Sequence, residues 1–467
     1  MILRSRPDKY PILMTIFLAA IVLPWGGQAG AQEKKVYALD QLIGMALDQS
    51  YEVKMADQDI LSAKADYSKA KGGQYPQLDV DAVTAPVNEA RVPYVLVGKD
   101  GIGTIVDHES DNLTIFGKLD FTIAQPLYTF GKITSNKEAA QLGIEVQKAA
   151  KNKTQNEVIL HIKELYYAFL VAGQGKKSAE EADEFILDAG RRIKNLIRAK
   201  STNVDQSDLY RLEAYAAETK QFKARAESGT QLSSMALKRA IGLSDRDEFE
   251  LDIKELPKEP RPLASLEEYI SLAMTQRPEF EQLKKGVKAR QKVVDAAKAD
   301  YYPSVFAAAH GSVAGAPGRD KWSNPYISDD FNHGYAGVYL GSQWHFDFGI
   351  QKGKVAKARA ELEKTRDQQN FAELNIPLEV AKHYQDALEA KASFQAYENA
   401  AVAARKWIIA STSNFDFGVG TAKDMFDAID RYGKNQGEYL RALYNYHVSM
   451  ARLDYAIGAR MSEDSLK

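Results

Sequence analysis

Two carboxylates lie three residues apart, just after a glycine-rich turn near the C-terminal end of the chain. Asp424 and Asp427 follow the segment Gly418-Val419-Gly420-Thr421. Side chains at positions i and i+3 share one face of a helix, so these two acids would present their charges together. Asp424 has a second interpretation, because Thr421-Ala422-Lys423-Asp424 also resembles a capping box at the start of a helix.

No other spacing of reactive side chains indicates catalysis. The seven His residues show no metal-binding pattern such as H-E-x-x-H, and Gly173-Gln174-Gly175-Lys176-Lys177 lacks the G-x-x-x-x-G-K-[ST] frame of a phosphate loop. Cysteine is absent, which excludes disulfides, thiolate metal sites and an N-terminal lipidated Cys. The sequence therefore predicts no enzyme, no cofactor and no metal site.

The first 31 residues have the organisation of a secretory signal peptide. Three basic residues precede an apolar run over residues 12–23, and Ala29-Gly30-Ala31 fits a cleavage site before Gln32. A membrane anchor is the alternative, but this run is shorter than the roughly 20 residues that a spanning helix needs. No later apolar run reaches that length. The exported chain is expected to be periplasmic, secreted or an outer-membrane β-barrel.

The net charge of the chain is −2, and its sequence shows no basic face, so we expect no nucleic-acid partner.

The positions of these features depend on an internal repetition. Residues 39–76 align without a gap with residues 266–303, and both segments end in Tyr-Pro. We therefore predict two structural units of the same order after the signal peptide (residues 1–31), one over residues 32–255 and one over residues 256–467. Each unit is expected to contain a helix, a strand, a long loop, a second strand, a very long helix and a return helix.

Alternating patterns predict the strands. Residues 113–123 and 336–348 alternate apolar with polar side chains, and residues 78–82 and 305–313 supply weaker partners. The loops between paired strands are expected at residues 87–112 and 314–334. Aromatic residues gather where each strong strand meets its helix, as in the interfacial girdle of a membrane barrel: Tyr128, Phe130, Trp344, Phe346 and Phe348. A soluble sheet on a core is the alternative. Four strands cannot close a barrel, so we predict a homo-oligomer.

Two segments show no convincing helix stop over about 68 residues, which corresponds to about 100 Å of helix. These are residues 131–200 and 349–415, with return helices expected at 204–242 and 421–458. Helices of this length are typical of a helical barrel or a coiled coil.

The chain resembles the TolC family of outer-membrane efflux and secretion channels over residues 36–460. The resemblance is carried by residues 39–47, 124–132 and 277–279, by Phe417 to Thr421 with Asp424, Asp427 and Ala428, and by residues 442–458. It implies an α+β membrane protein in the outer membrane, in which a homotrimer forms a twelve-stranded β-barrel continued by a periplasmic α-helical barrel. It also implies outer-membrane lipid around the barrel, a periplasmic adaptor (membrane fusion) protein and an inner-membrane RND or ABC pump. A periplasmic coiled-coil scaffold without a pore remains the alternative function.

The resemblance also assigns roles to the turns between the long helices. It implies that Asp424 and Asp427 form the pore constriction, where threefold symmetry would bring six carboxylates together. The adaptor is expected to dock on the two turns, at Gly418, Val419, Gly420, Thr421, Thr202, Asn203 and Val204. Two residues depart from the family, because Phe415 stands where a Tyr is common and Gly420 where an Arg or polar residue is common. The closed end must therefore be held by other residues, or more weakly. The cargo is not encoded in any of these features.

Overall fold

A computed structural model describes residues 35–202, 204–322 and 324–459. The predicted signal peptide at residues 1–31 lies outside these residues. The elements in chain order are β1 (Lys35–Tyr37), α1 (Leu39–Gln49), α2 (Tyr51–Gly72), β2 (Gln77–Val97), β3 (Gly103–Tyr128), α3 (Lys132–Arg198), α4 (Gln206–Ile241), β4 (Phe249–Leu251), α5 (Leu266–Gln276), α6 (Pro278–Ala299), β5 (Ser304–Gly315), β6 (His333–Gln343), α7 (Ile350–Asp416) and α8 (Ala422–Ala456).

One order of helix, helix, strand, strand, long helix and return helix occurs twice along the chain. Helices at corresponding positions are nearly equal in length, with 11 residues in α1 and α5, 22 in α2 and α6, and 67 in α3 and α7. The return helices α4 and α8 have 36 and 35 residues. This order contains the predicted strands, long helices and return helices, while the division into two units between residues 255 and 256 stays a prediction.

The opening helix of each unit, which the sequence pattern suggested was continuous, is broken in two. Ser50 separates α1 from α2, and its Oγ accepts a hydrogen bond from the Val53 backbone N–H at 3.2 Å. Arg277 separates α5 from α6 in an extended conformation, and Pro278 is the first residue of α6. An N-cap hydroxyl and a proline at the first helical position each favour a new helix start, so the continuous-helix prediction was wrong at these points.

The two 67-residue helices dominate the molecule, each extending about 100 Å at 1.5 Å per residue. Helices α2 and α6 pack beside α3, and α4 and α8 also pack against it, while α7 contacts α6 and α8. Gly173, Gly175 and Pro377 lie inside continuous helix. Among the described ranges, no helix combines the length and apolar character needed to cross a membrane.

Strands β2, β3, β5 and β6 form one antiparallel sheet in that order, with two very different faces. Apolar side chains on one face are exposed on the protomer, including Leu113 (67%), Ile115 (72%), Val338 (85%) and Leu340 (77%). The opposite face carries Thr114, Phe116, Lys118, Asp120 and Thr122 of β3, His310 and Ser312 of β5, and His333 and Tyr335 of β6. The predicted alternation is thus present as a two-faced sheet.

The loop predicted at residues 87–112 is instead mostly strand. Strands β2 and β3 contain 21 and 26 residues, and only residues 98–102 connect them. Gly101 has a φ of +75° in this turn, which suits the Asp100-Gly101 pair. Register shifts between Asn88 and Ala90 and between Arg91 and Tyr94 interrupt the alternation of apolar and polar side chains. The period-two pattern therefore did not predict a strand there. The loop predicted at residues 314–334 agrees closely with the end of β5 at Gly315 and the start of β6 at His333, and β6 ends at Gln343 rather than near residue 348.

A second, two-stranded sheet was not predicted. Strands β1 and β4 pair in parallel, and each has only three residues, which is too short for a periodic signal. This sheet lies beside the middle of α3, where the Tyr166 Oη donates to the Asp252 carboxylate at 3.2 Å. The larger buried cluster surrounds this region, and its members include Leu42, Ile162, Tyr166, Phe394 and Tyr446.

Candidate functional site

The turn between α7 and α8 is short and exposed. Gly418 has a φ of +72° and donates its N–H to the Phe415 carbonyl at 3.1 Å, a common way to end a helix. Val419 and Gly420 both donate to the Asn414 carbonyl at 3.0 Å, which closes the turn. The side chains of Phe417 and Val419 remain 83% and 79% exposed. The turn is therefore a compact tip that displays two apolar side chains to solvent.

Phe415 and Gly420, the two departures from the family pattern, both serve the packing of this tip. The Phe415 ring is buried in a cluster that also contains Ile193, Met425 and Phe426. A Cβ at Gly420 would lie 3.0 Å from the Asn414 Cβ and from the Phe415 N. A side chain at position 420 would therefore force its neighbours to shift, and the turn as built favours glycine there.

Asp424 takes part in a complete capping box. The Thr421 Oγ1 accepts from the Asp424 N–H at 3.2 Å, and Asp424 Oδ2 accepts from the Thr421 N–H at 3.3 Å and from the Thr421 hydroxyl at 2.6 Å. These hydrogen bonds from the Thr421 side chain and backbone lower the pKa of Asp424 below its ordinary value. The capping interpretation of Asp424 is thus observed, and the carboxylate is ionised and exposed beside the turn.

Asp427 lies on the same side of α8, one turn further along. In the described part of the protomer, its carboxylate has no hydrogen bond or ion pair within bonding distance, and its side chain is partly exposed. Asp430 in the next turn differs, because it pairs with Lys434 at 2.7 Å. Burial raises the pKa of Tyr215 on the neighbouring helix α4, and the charges of Asp430 and Asp427 add to that shift. Asp427 is consequently a carboxylate free to face a pore or a partner.

The corresponding turn of the first unit is built differently. Lys200, not a glycine, adopts the positive φ of +55° after α3, and Asp205 then caps α4. Asp205 accepts from the Asp208 N–H at 3.2 Å, and the Asp208 carboxylate accepts from the Asp205 N–H at 3.1 Å, so the two acids form a capping box at the start of α4. Thr202 is exposed, Val204 is buried in the tip cluster, and Asn203 lies outside the described residues.

An ion pair connects the two long helices beside these turns, and sequence reasoning did not find it. Arg192 near the end of α3 donates to the carboxylate of Asp416, the last residue of α7. The Arg192 Nε also donates to Asp188 at 2.8 Å within α3, and this bond lowers the pKa of Asp188. Because 224 residues separate Arg192 from Asp416, no local spacing could reveal the pair.

The aromatic residues at the strand-to-helix junctions form two groups. Tyr128 lies against Phe130 with ring centroids 4.7 Å apart, and Phe130 stacks on Tyr302 at 5.0 Å. Trp344 contacts Phe346 at 4.8 Å and donates its Nε1–H to the Tyr301 carbonyl at 3.1 Å. All five predicted girdle residues are exposed on the protomer, with Phe348 most exposed. Tyr301 and Tyr302, which precede Pro303, extend the predicted set.

The two strand-to-helix junctions have similar backbone conformations. Phe130 and Phe348 have φ values of +48° and +50°, and the glycines that follow them have φ values of +90° and +151°. Such angles are unusual for a bulky residue and are sustained only by the surrounding structure.

In the part of the chain that the structure describes, no group of His, Asp or Glu side chains is arranged to hold a metal ion.

Comparison with known proteins gives a consistent result. The family model described as "Outer membrane efflux protein" matches residues 269–459. The outer-membrane channel OprN aligns with a TM-score of 0.73 at 15% identity over 90% of each chain. The channel CusC aligns with a TM-score of 0.71 at 15% identity, over 90% of this chain and 92% of that chain. The outer-membrane protein VceC from Vibrio cholerae gives a TM-score of 0.70 at 18% identity, over 90% of this chain and 96% of that chain. No curated protein matches the chain significantly.

Proposed function

Because the chain resembles outer membrane efflux proteins in sequence over residues 269–459 and in fold over 90% of its length, we propose that it is a passive exit duct in the outer membrane. In this proposal the duct serves a tripartite efflux or type I secretion system. It receives cargo from a periplasmic adaptor and an inner-membrane RND or ABC pump. One observation carries the proposal: helices of about 100 Å continue directly from a sheet whose apolar face is exposed.

Exposure of that apolar face favours a membrane barrel over a soluble scaffold. The exposed residues of β3 and β6 would meet lipid in a barrel, whereas a soluble sheet would need a covering layer on this side. The edge strands β2 and β6 also lack a second partner strand within the described sheet. Pairing of β6 of one protomer with β2 of the next would satisfy both edges. Three protomers would then supply the twelve strands that the resemblance implies.

Helix α7 also carries an exposed apolar face that is available for contact with a neighbouring protomer. Phe371, Leu374 and Leu378 are 67%, 77% and 67% exposed, and their spacing of three and four residues places them on one face of α7. Packing of this face against a neighbouring protomer would bury it and close a helical barrel below the sheet. The homotrimer is thus supported at both the strand and the helix level.

Purification from membranes tests this function. We expect the mature protein to fractionate with the outer membrane, to have the mass of a trimer in mild detergent and to form conducting pores in planar bilayers. Recovery of the protein from the periplasm without detergent would reject the duct and favour the coiled-coil scaffold. A monomer in detergent would reject the shared barrel.

In this proposal, the Arg192–Asp416 ion pair is a weak tie, that is, an interaction that holds α3 and α7 together at the closed end of the duct. An exposed ion pair contributes only about 0–1 kcal/mol, so such a tie would hold a resting state and still break during opening. Because Phe415 and Gly420 supply no polar side-chain group, this pair is our candidate for the interaction that replaces them. We expect Asp416→Asn to increase the conductance of purified trimers and to make cells more permeable to large antibiotics.

A matched substitution separates the tie from a general charge effect. Asp188→Asn also removes an acid that pairs with Arg192, but it lies within α3 and leaves the link to α7 in place. Conductance of Asp188→Asn should stay near that of the unsubstituted protein. Equal conductance in all three proteins would show that Arg192 and Asp416 do not hold the closed end.

A further inference from the structure

The described residues of the connection between β5 and β6, 316–322 and 324–332, fold back over the polar face of the sheet. Gly318 donates its N–H to the Thr114 Oγ1 at 3.1 Å, and the Phe331 ring packs edge-to-face on Phe116 with centroids 5.5 Å apart. Thr114 and Phe116 belong to the same face as Asp120 and Thr122, opposite the exposed apolar residues. Ser312 on this face is fully buried, whereas its neighbour Val313 on the other face is 56% exposed. The connection therefore covers one face only.

Backbone and charged contacts join the connection to the β2–β3 hairpin. Ala90 donates to the Gly318 carbonyl at 3.2 Å, and Asp320 donates to the Ala90 carbonyl at 3.0 Å, so the segment forms a short parallel bridge with β2. The Arg319 guanidinium donates to the Asn88 carbonyl at 2.7 Å, and Arg91 pairs with Asp320 at 3.0 Å. Backbone pairing of this kind fixes the position of the connection relative to the sheet.

Asp329 braces the connection from within. Its carboxylate accepts from the backbone N–H groups of Trp322, Phe331 and Asn332, each at 3.0 Å. The His333 Nδ1 lies 2.9 Å from the Asp329 carbonyl, which can only accept, so Nδ1 carries the proton. The His333 Nε2 lies 2.8 Å from the Ser312 Oγ on the covered face. One carboxylate thus organises the fold of the connection, and one His anchors its end to the sheet.

Two aromatic side chains of the connection are exposed on the protomer. Tyr326 is 95% exposed and Trp322 is 48% exposed. In a barrel whose apolar face meets lipid, the covered polar face is the lumen face. The connection also lies at the sheet end opposite the long helices, because β5 runs away from α6 and β6 returns to α7.

We propose that the described residues of this connection, 316–322 and 324–332, form a second constriction of the pore at its outer mouth, with Trp322 and Tyr326 lining the narrowest part. This inference rests on the proposed channel function. A ring of aromatic side chains would narrow the outer mouth and limit the size of hydrated cargo, because an apolar constriction gates by losing its water. The constriction would be independent of the carboxylates at the periplasmic tip.

The absence of cysteine allows a direct test by thiol modification. Tyr326→Cys trimers in planar bilayers are treated from the loop side with a cationic methanethiosulfonate reagent, and mass measurement confirms the modification. We expect conductance to fall in steps as successive protomers react, and to recover after reduction. Val338→Cys, which lies on the apolar face of β6, is the matched control and should show no change.

Loosening the fold of the connection should have the opposite effect on conductance. Asp329→Ala removes three backbone hydrogen bonds from the brace, so conductance should rise above that of the unsubstituted trimer. Asp330→Ala makes the same change in charge at the next residue without removing those bonds, and its conductance should stay the same. Unchanged conductance in modified Tyr326→Cys, or in Asp329→Ala, would overturn the outer constriction while leaving the channel intact. Absence of any conductance in the unsubstituted trimer would reject the channel itself, and with it this inference.

Discussion

Val419→Arg is expected to abolish export while leaving the trimer and its abundance in the outer membrane unchanged. Val419 is 79% exposed in the α7–α8 turn, so most of its side chain is not packed against the described residues. Phe417 beside it is also exposed, and Gly418 and Gly420 add no bulk. If the adaptor docks on this tip, a long charged side chain would be forced into an apolar contact without a partner charge. The measurement is cell survival under efflux-dependent drugs, together with crosslinking to the adaptor.

Val97→Arg is the matched control for this substitution. Val97 is 69% exposed beside the β2–β3 turn, at the opposite end of the molecule, so the same change in side chain should leave export normal. Thr202→Arg tests docking at the turn of the first unit, where the Thr202 side chain is also exposed. Normal export and normal crosslinking by Val419→Arg would remove the second tip from the docking site. A loss of trimer instead would show that the tip stabilises assembly.

The long helices could be predicted from sequence because their signals are local and extended. A pattern that continues for 67 residues without a stop, followed by Phe417-Gly418-Val419-Gly420, defines both the helix and its end. Strand lengths were harder to predict. In β2 and β3, bulges and Pro86 disturb the alternation although backbone pairing continues, so the hairpin was read as a loop. Pairing is a long-range property, and periodicity detects it only where the faces stay regular.

The candidate site shows the same division between local and distant information. The capping box of Thr421 and Asp424 involves residues three apart, and it was visible in the sequence. The Arg192–Asp416 pair joins the ends of two helices, and the contact of Phe331 with Phe116 joins a connection to a distant strand. Neither follows from spacing, because the geometry that creates them arises only when the helices and strands pack. The resemblance to a family implies that the acids form a constriction, but it gives no information on these contacts.

Asp427→Asn is expected to reduce cation selectivity and to weaken block by multivalent cations added from the periplasmic side. Asp427 lacks an ion pair within the described part of the protomer and lies one turn beyond Asp424 on the same side of α8. In a threefold assembly these acids would place up to six carboxylates around one narrow opening, and such rings attract cations. Asn has nearly the same volume as Asp, so the change removes charge without opening a cavity.

Asp427 is a cleaner target than Asp424, because Asp424 also accepts hydrogen bonds that start α8. Asp430→Asn is the matched control. It is the same substitution one turn away, at an acid whose charge Lys434 already balances at 2.7 Å, so selectivity should change little. Arg431 is exposed four residues after Asp427, on the same face of α8, and should partly offset the ring, which predicts stronger selectivity in Arg431→Gln. Selectivity and cation block that stay the same in Asp427→Asn trimers would place this acid on an outer surface of the helical barrel, away from the pore.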